Sequence, residues 1–528
     1  MQDDISSAFS SSLKHQRQDI PVPSTSPTWT KTVNLDDTWS GARTPPDLSL
    51  IDGYEFLTQP YDHQRIGLAE LVGHDSWLLA WEMRVGKTKV VADWLRYQTQ
   101  QRAKTSARPL AGVILCPKSV ISVWPGELMR HAGLPCRVLG DTPRQRQESL
   151  AWFGREGTVP RVLVMNYDHT WRDAGKFIMS LERLDVVIAD EVQAIKNKTA
   201  SRSKATVKLS EKAAYRFALS GTPAPNGPED WLGTLLFLDP SGKLAGTKFK
   251  TTFESRYVVR REINGIPLII GYQNLDDLNK RVASVSSRVK KDDCFDLPPK
   301  VMLERHCTLE GEQARVYREI KKDALTRLSK AKADSVLTVN NVLTESLRLL
   351  QVVGGFVPDN TGQLHALGDN AKLALLEEVV SELEGQPLVI WCHFRAELEA
   401  VAKLLPKMGR CGVQFHGGED STTRARYVEQ FQSGKIDTFV ATPMTGGVGL
   451  NLSRADTEIF YSRSYNLQDW LQAQARLESG TKKKAVAVIS LVADGTVDVK
   501  VGRALDRKEN IQEAMMRQGM VCVEECLG

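Results

Sequence analysis

The sequence predicts an α/β fold: two parallel sheets with helical insertions. Three observations carry this expectation. Short apolar runs rich in β-branched residues alternate with longer amphipathic stretches, each run ends in a polar or glycine-containing turn, and the runs fall into two sets separated by a helix-favouring interval. Continuous apolar runs of about four to eight residues mark strands buried on both faces, as in a parallel sheet covered by crossover helices.

From the N-terminus, residues 1–50 are rich in Ser, Thr, Pro and Asp without sustained periodicity, so a disordered lead is expected there, with order beginning near YEFLTQPYDHQ. The first set of strands is SWLLAWE (76–82), GVILCP (112–117), RVLVMNYD (161–168), LDVVIADE (184–191) and YRFALSG (215–221), which places a first domain over 51–240. Residues 241–295 read as a helical insertion and connector without a third sheet. The second set is QPLVIWCHF (386–394), GVQFHGG (412–418), DTFVATP (437–443), TEIFYS (457–462) and AVAVISLV (485–492). It places a second domain over 296–500, with a helical insertion at about 310–365 typified by EQARVYREIKKDALTRLSKAKA. Residues 501–528 are expected to be a tail.

Composition narrows the functional classes. A chain of 528 residues has room for roughly two to four domains, and 41% hydrophobic with 25% charged residues is ordinary globular usage. No apolar run approaches the ~20 residues that cross a bilayer, and the N-terminus lacks the apolar core of a signal peptide, so a cytoplasmic protein with no membrane partner is expected. Eight cysteines are scattered without a CxxC pair, and Cys522 with Cys526 lacks the further ligands of a zinc site. A net charge of +5 permits a polyanionic partner without demanding one.

The stretch WEMRVGKTKVV (81–91) carries the first chemical signal. A lone GK followed by Ser or Thr arises by chance in roughly one chain in four of this length, so context decides its weight. Here VGKT follows a strand-like run and opens a helix-like one. In that setting the free N–H groups of a helix start face phosphates, Lys87 reaches the β/γ oxygens and the Thr88 hydroxyl meets Mg²⁺. A second signal is VVIADEVQAIKN (186–197), where Asp190 and Glu191 end an apolar strand. An Asp there can hold Mg²⁺ and the adjoining Glu can orient and deprotonate a water, although an isolated pair of this kind is more often a solvated turn.

The ordered series of motifs resembles the Swi/Snf-like ATPases of helicase superfamily two over roughly residues 55–500. YDHQRIGL (61–68) resembles the family's glutamine element, MRVGKT (83–88) its phosphate loop, and LCPKSVISVWPGEL (115–128) the element that follows. ADEVQAIKN (189–197) stands for the acidic box, ALSGTPAPN (218–226) for the SGTP element and RVKKDDCFDLPPK (288–300) for the segment joining the lobes. LVIWCHF (388–394), HGGEDSTTRARYVEQF (416–431), TPMTGGVGLNLSRADTEIFYSRSYN (442–466) and QAQAR (472–476) follow in the family's order.

The resemblance implies two RecA-like lobes with ATP and Mg²⁺ in their cleft and a nucleic-acid strand tracked across both. It implies Gln64 for adenine, Gly86, Lys87 and Thr88 for phosphates, Thr88 and Asp190 for the metal, Glu191 for the attacking water and Arg476 as the arginine finger. For the nucleic acid it implies Lys118, Ser119, Thr445, Gly446 and Gly447, whose N–H and hydroxyl groups suit phosphate oxygens. The expected activity is ATP hydrolysis coupled to movement on duplex DNA by a monomer. Within the class the alternative is a helicase acting on forks; outside it stand an ATP-binding clamp with weak turnover and a small-molecule phosphotransferase.

Trp124 and Trp470 are expected to pack the lobes in preference to stacking on bases, and TKKK (481–484) to be a solvated turn. Three positions depart from the family pattern. Trp81 replaces a residue usually acidic, Arg84 one usually glycine, and Ser479 a second arginine three residues beyond Arg476. The serine leaves transition-state charge partly uncompensated unless another cation enters the cleft, and Arg463 is the local candidate.

Overall fold

LDVVIAD (Leu184–Asp190) is buried at every position, as a strand with helices on both faces must be, and it lies near the middle of the first sheet. The computed structural model describes residues 46–516, apart from 156, 158, 264–265, 296, 334–338, 360–362, 420, 447–449 and 479–481. Most of the expected lead, Gly447, Ser479 and the Cys522–Cys526 pair therefore lie outside the described residues.

The first sheet is parallel and draws on β1 (Ser76–Leu79), β2 (Ala111–Cys116), β3 (Arg137–Val138), β4 (Arg161–Asn166), β5 (Leu184–Asp190) and β6 (Ala213–Leu219). After an antiparallel hairpin of β7 (Val258–Ile263) and β8 (Ile266–Tyr272), β9 (Ser286–Ser287) returns to its edge, giving the order β3-β4-β2-β5-β6-β1-β9. The second sheet opens with β10 (Val301–Cys307). A small hairpin of β11 (Phe356–Pro358) and β12 (Leu364–Ala366) precedes β13 (Leu388–Trp391), β14 (Gly412–Phe415), β15 (Thr438–Ala441), β16 (Thr457–Phe460) and β17 (Ala487–Ala493). Its order is β10-β17-β16-β13-β15-β14, again parallel throughout. Every strand expected from the two sets of apolar runs is present.

Two stretches differ from expectation. The interval read as purely helical contains the β7–β8 hairpin and donates β9 to the first sheet, because VVRREI and IPLIIGY carry the β-branched residues a strand favours. The segment expected as a tail is a helix, Val497–Met516, and Val501 and Leu505 pack into the core of the second sheet. Among the described residues no helix is long and apolar enough to cross a membrane.

Candidate functional site

The strand order decides where the motifs meet. β5, β6 and β1 are consecutive neighbours, with Asp190 beside Leu219 and Leu219 beside Leu79. The loops that leave their carboxyl ends, WEMRVGK, EVQAIKN and SGTPAPN, therefore start at one level on one rim, the place where open α/β sheets receive ligands.

The phosphate loop turns through two left-handed residues, Arg84 at φ 66° and Gly86 at φ 89°, and Gly86 caps helix Lys87–Lys104. Glycine suits position 86 because the backbone is left-handed there, and a Cβ would also press on the Gln64 side chain. Arg84 bears a side chain in a conformation that costs L-residues roughly 1–2 kcal/mol. Trp81 is fully buried: its indole fills the space left by Gly67 and donates to Ser287 Oγ at 3.0 Å, so the position usually acidic has become part of the core. Its carbonyl still serves the site, accepting from Lys87 Nζ at 2.8 Å beside the Glu82 carbonyl at 2.9 Å. Gln64 is buried against the loop, donating to Val85 O at 3.4 Å and accepting from Tyr61 N at 3.0 Å, and His63 makes a 2.8 Å bond to the same Val85 carbonyl.

The acidic box lies opposite. Asp190 Oδ2 accepts from Trp124 Nε1 at 3.1 Å and the Asp190 carbonyl from Tyr167 OH at 2.7 Å. Burial, with Glu191 alongside, pushes the Asp190 carboxyl up to about 7. Glu191 is left-handed at φ 52°, and its carboxylate accepts from Gln193 Nε2 at 2.5 Å. Gln193 then accepts from Ser220 Oγ at 2.6 Å, and Ser220 Oγ accepts from Thr222 N at 3.0 Å, so the acidic box and the SGTP element form one network. Burial pushes the Lys87 ammonium down, while Glu191 and Asp190 oppose the shift, which places all three within electrostatic reach. Trp124, Gln193, Ser220 and Thr222 have positioning contacts that single-residue reading missed, although each lies inside a motif already recognised.

The second sheet sends Arg476 to the same place. It follows helix Leu467–Gln474, is buried, and donates to Gln472 O at 3.0 Å and Leu450 O at 3.4 Å. Burial, and then Arg84, push its guanidinium down to about 9 while Glu191 opposes. The next acidic residue, Glu478, takes Lys300 at 2.6 Å and also Lys291, both from the connector. Although burial raises its carboxyl, these two lysines together hold it down to about 2. Arg463 does not enter the cleft: it pairs with Glu304 on β10 at 3.2 Å and lies over Trp470. Trp470 packs on Phe460 at 4.3 Å and Trp124 is fully buried, so both tryptophans are lobe residues. Lys482 is no solvated turn residue either, because it ties the carbonyls of Ser453 and Leu477 and pairs with Asp456 at 3.0 Å.

Lys118, Ser119 and Thr445, two from the first lobe and one from the second, line a single cleft of about 1420 Å³ together with Arg172 and Arg424. Gly446 closes the short helix Pro443–Gly446 beside it. For a metal, the residues near the loop offer a carboxylate and a hydroxyl, both hard oxygen donors of the kind Mg²⁺ takes. Asp190 is buried with the Glu191 carboxylate alongside, a concentration of negative charge that a divalent cation would relieve.

Comparison with known proteins follows this geometry. The SNF2-related domain matches residues 62–353, more than half of the chain, and the helicase conserved C-terminal domain matches 371–478. The chain belongs to the SNF2-related family. The family is one of ATP hydrolases, and its two lobes are the two parallel sheets described above. Similar relatives include protein p41 of Acyrthosiphon pisum secondary endosymbiont phage 1, 24% identical over 479 residues that cover 87% of this chain and 98% of p41. The mouse chromodomain-helicase-DNA-binding protein 1-like is 24% identical over 77% of this chain and 44% of its own length. The uncharacterized ATP-dependent helicase MG018 of Mycoplasma genitalium is 25% identical over 82% of this chain and 40% of its own. The chain thus spans nearly all of p41 but less than half of the other two. Among solved structures, the Sulfolobus solfataricus SWI2/SNF2 ATPase core in complex with dsDNA is 22% identical, covering 88% of this chain and 96% of that one with a TM-score of 0.39.

Proposed function

We propose that this SNF2-related protein is an ATP-driven translocase on duplex DNA that remodels DNA or protein–DNA complexes. The observation that carries the reading is convergence: Lys87, Asp190 and Glu191 of the first lobe act on one another, Arg476 of the second lobe is within electrostatic reach of Glu191, and Arg84 of the phosphate loop shares the Leu450 carbonyl with Arg476. The adjoining cleft, lined from both lobes by Lys118, Ser119 and Thr445, supports a strand held across the same division. On this reading residues 51–240 with β9 form the nucleotide lobe and β10–β17 the second lobe.

Gln64 reads adenine, the N–H groups at Gly86 and Lys87 receive the phosphates, and Thr88 with Asp190 holds Mg²⁺. A divalent cation held there would neutralise phosphate charge. Glu191, oriented by Gln193, accepts the proton of the attacking water, and Arg476 offsets charge on the transferring phosphoryl group. A site shared by two lobes closes when its ligand bridges them and reopens when the bridge is cut, and different affinities of the two states for the strand give stepping.

The test is ATP hydrolysis measured side by side without nucleic acid and with single-stranded, duplex and forked DNA and RNA. Duplex DNA should stimulate most, indifferently to sequence and with steep loss as salt rises. Greater stimulation by RNA, or none by any nucleic acid, refutes the proposal.

A further inference from the structure

Arg84 has no counterpart in the family pattern, yet its side chain has a defined destination. It holds φ 66°, which glycine would adopt freely, and such strain persists where the surroundings over-determine it. The guanidinium leaves the first lobe and donates through Nη2 to Leu450 O at 2.8 Å and through Nη1 to the Glu478 carbonyl. Leu450 O also accepts from Arg476 Nη1, so two guanidinium groups, one from each lobe, meet on one carbonyl oxygen. Every hydrogen bond described for the pair goes to a backbone carbonyl and none to a carboxylate. Glu478 acts on Arg84, and Glu191 with Glu478 on Arg476, without a carboxylate hydrogen bond to either among the described residues, so both guanidinium groups keep their charge-assisted bonding capacity for a phosphate. The Glu478 carbonyl stands one peptide before position 479, where the family has its second arginine and this chain has serine.

We propose that Arg84 takes over the task of that second arginine: it is supplied by the phosphate loop itself and faces the terminal phosphate of ATP beside Arg476. The proposal rests on the ATPase reading above. When a nucleoside triphosphate binds, the guanidinium exchanges these carbonyl partners for phosphate oxygens, forming charge-assisted bonds. A diphosphate lacks the γ-phosphate that would receive it. The charge that the serine removes from the second lobe is restored from the first.

The experiment compares the full chain, R84G and the double variant R84G/S479R. R84G returns glycine to a backbone conformation that suits it, so the fold is retained. Two readouts are taken: duplex-stimulated ATP hydrolysis, and equilibrium affinity for Mg²⁺ with a slowly hydrolysed ATP analogue or with ADP. R84G should lose about tenfold or more in turnover, in keeping with the weight of phosphate-facing arginines. It should also lose about tenfold in triphosphate affinity, with ADP affinity shifting less than about twofold. R84G/S479R should regain most of both. The proposal is overturned if R84G keeps wild-type turnover and the wild-type ratio of triphosphate to diphosphate affinity, or if the double variant stays as low as R84G. Absence of hydrolysis by the unmodified chain with every nucleic acid would instead remove the ATPase reading itself.

Discussion

Returning Trp81 to the acidic residue usual in the family should damage the protein. The indole is fully buried, and it occupies volume that exists only because residue 67 is glycine: a Cβ there would stand 2.5 Å from the ring. Truncating a buried tryptophan costs about 3–5 kcal/mol in transfer and cavity terms. The lost Nε1–Ser287 bond adds about 1 kcal/mol and no more, because Ser287 Oγ keeps Trp77 Nε1 at 3.3 Å as a partner. A carboxyl set in that cavity adds desolvation, so W81D should lose about 5 kcal/mol or more, comparable with the whole stability of many domains. W81F, which keeps most of the ring, should lose about 1–3 kcal/mol. Urea unfolding followed by circular dichroism reads the difference in the first transition. If W81D unfolds within about 1 kcal/mol of the unmodified chain, the indole is not the core element described here.

Three further outcomes are expected. E191Q keeps size and hydrogen bonding but removes the base, so nucleotide should still bind while hydrolysis falls by about 10²–10⁴; turnover at the original rate would take the water-activating role from Glu191. W124F removes the donor that holds Asp190 together with part of a buried ring, so DNA-stimulated turnover should drop by about tenfold at a stability cost of about 1–3 kcal/mol like that of W81F, whereas unchanged kinetics would show that Asp190 is oriented without it. Glu458 is buried against Trp391 Nε1 at 2.7 Å, and burial pushes its carboxyl from 4.5 up to about 7. The folded state therefore holds that proton more tightly than the unfolded chain; its contribution is complete below about 4.5 and is lost as pH rises through about 7, a swing of about 3 kcal/mol. E458Q should flatten that slope between pH 5 and 8.5 in urea titrations, and an identical slope in the variant would contradict the assignment.

Much of this fold was legible because parallel strands announce themselves: LDVVIAD and TFVA are apolar at nearly every position, and both are central and buried throughout. The hairpin VVRREI–IPLIIGY is less legible because charged residues interrupt its first strand, a proline falls inside its second, and both lie among helix-favouring stretches. The helix Val497–Met516 is hard to read because charged residues are scattered along it; the spacing of Val497, Val501 and Leu505, at i, i+4 and i+8, betrays the face it buries. At the site, motif order located Lys87, Asp190 and Glu191, and the topology brings them to one rim. Contacts between residues far apart in sequence were not legible in the same way. Nothing near Arg463 says that it turns to Glu304, which the strand order of the second sheet brings near it, and nothing near Arg84 says that it crosses to Leu450, a destination set by how the lobes face each other.

The lysine pairs on Glu478 change the mechanics of the joint between the lobes. From β9 to β10 the chain runs about fourteen residues, a rope that fully extended would reach roughly 50 Å. Lys291 and Lys300 fasten both ends of that rope to a single carboxylate on the second lobe. Residues 287–291 are themselves tied to the first lobe, where Glu82 N donates to Val289 O at 2.9 Å and Lys291 N to Glu82 Oε2 at 3.0 Å, so Lys291 links that lobe directly to a carboxylate two residues from Arg476. A joint of this kind converts wide drifting into a narrow arc, and it places the pivot beside the arginine whose approach the swing has to deliver.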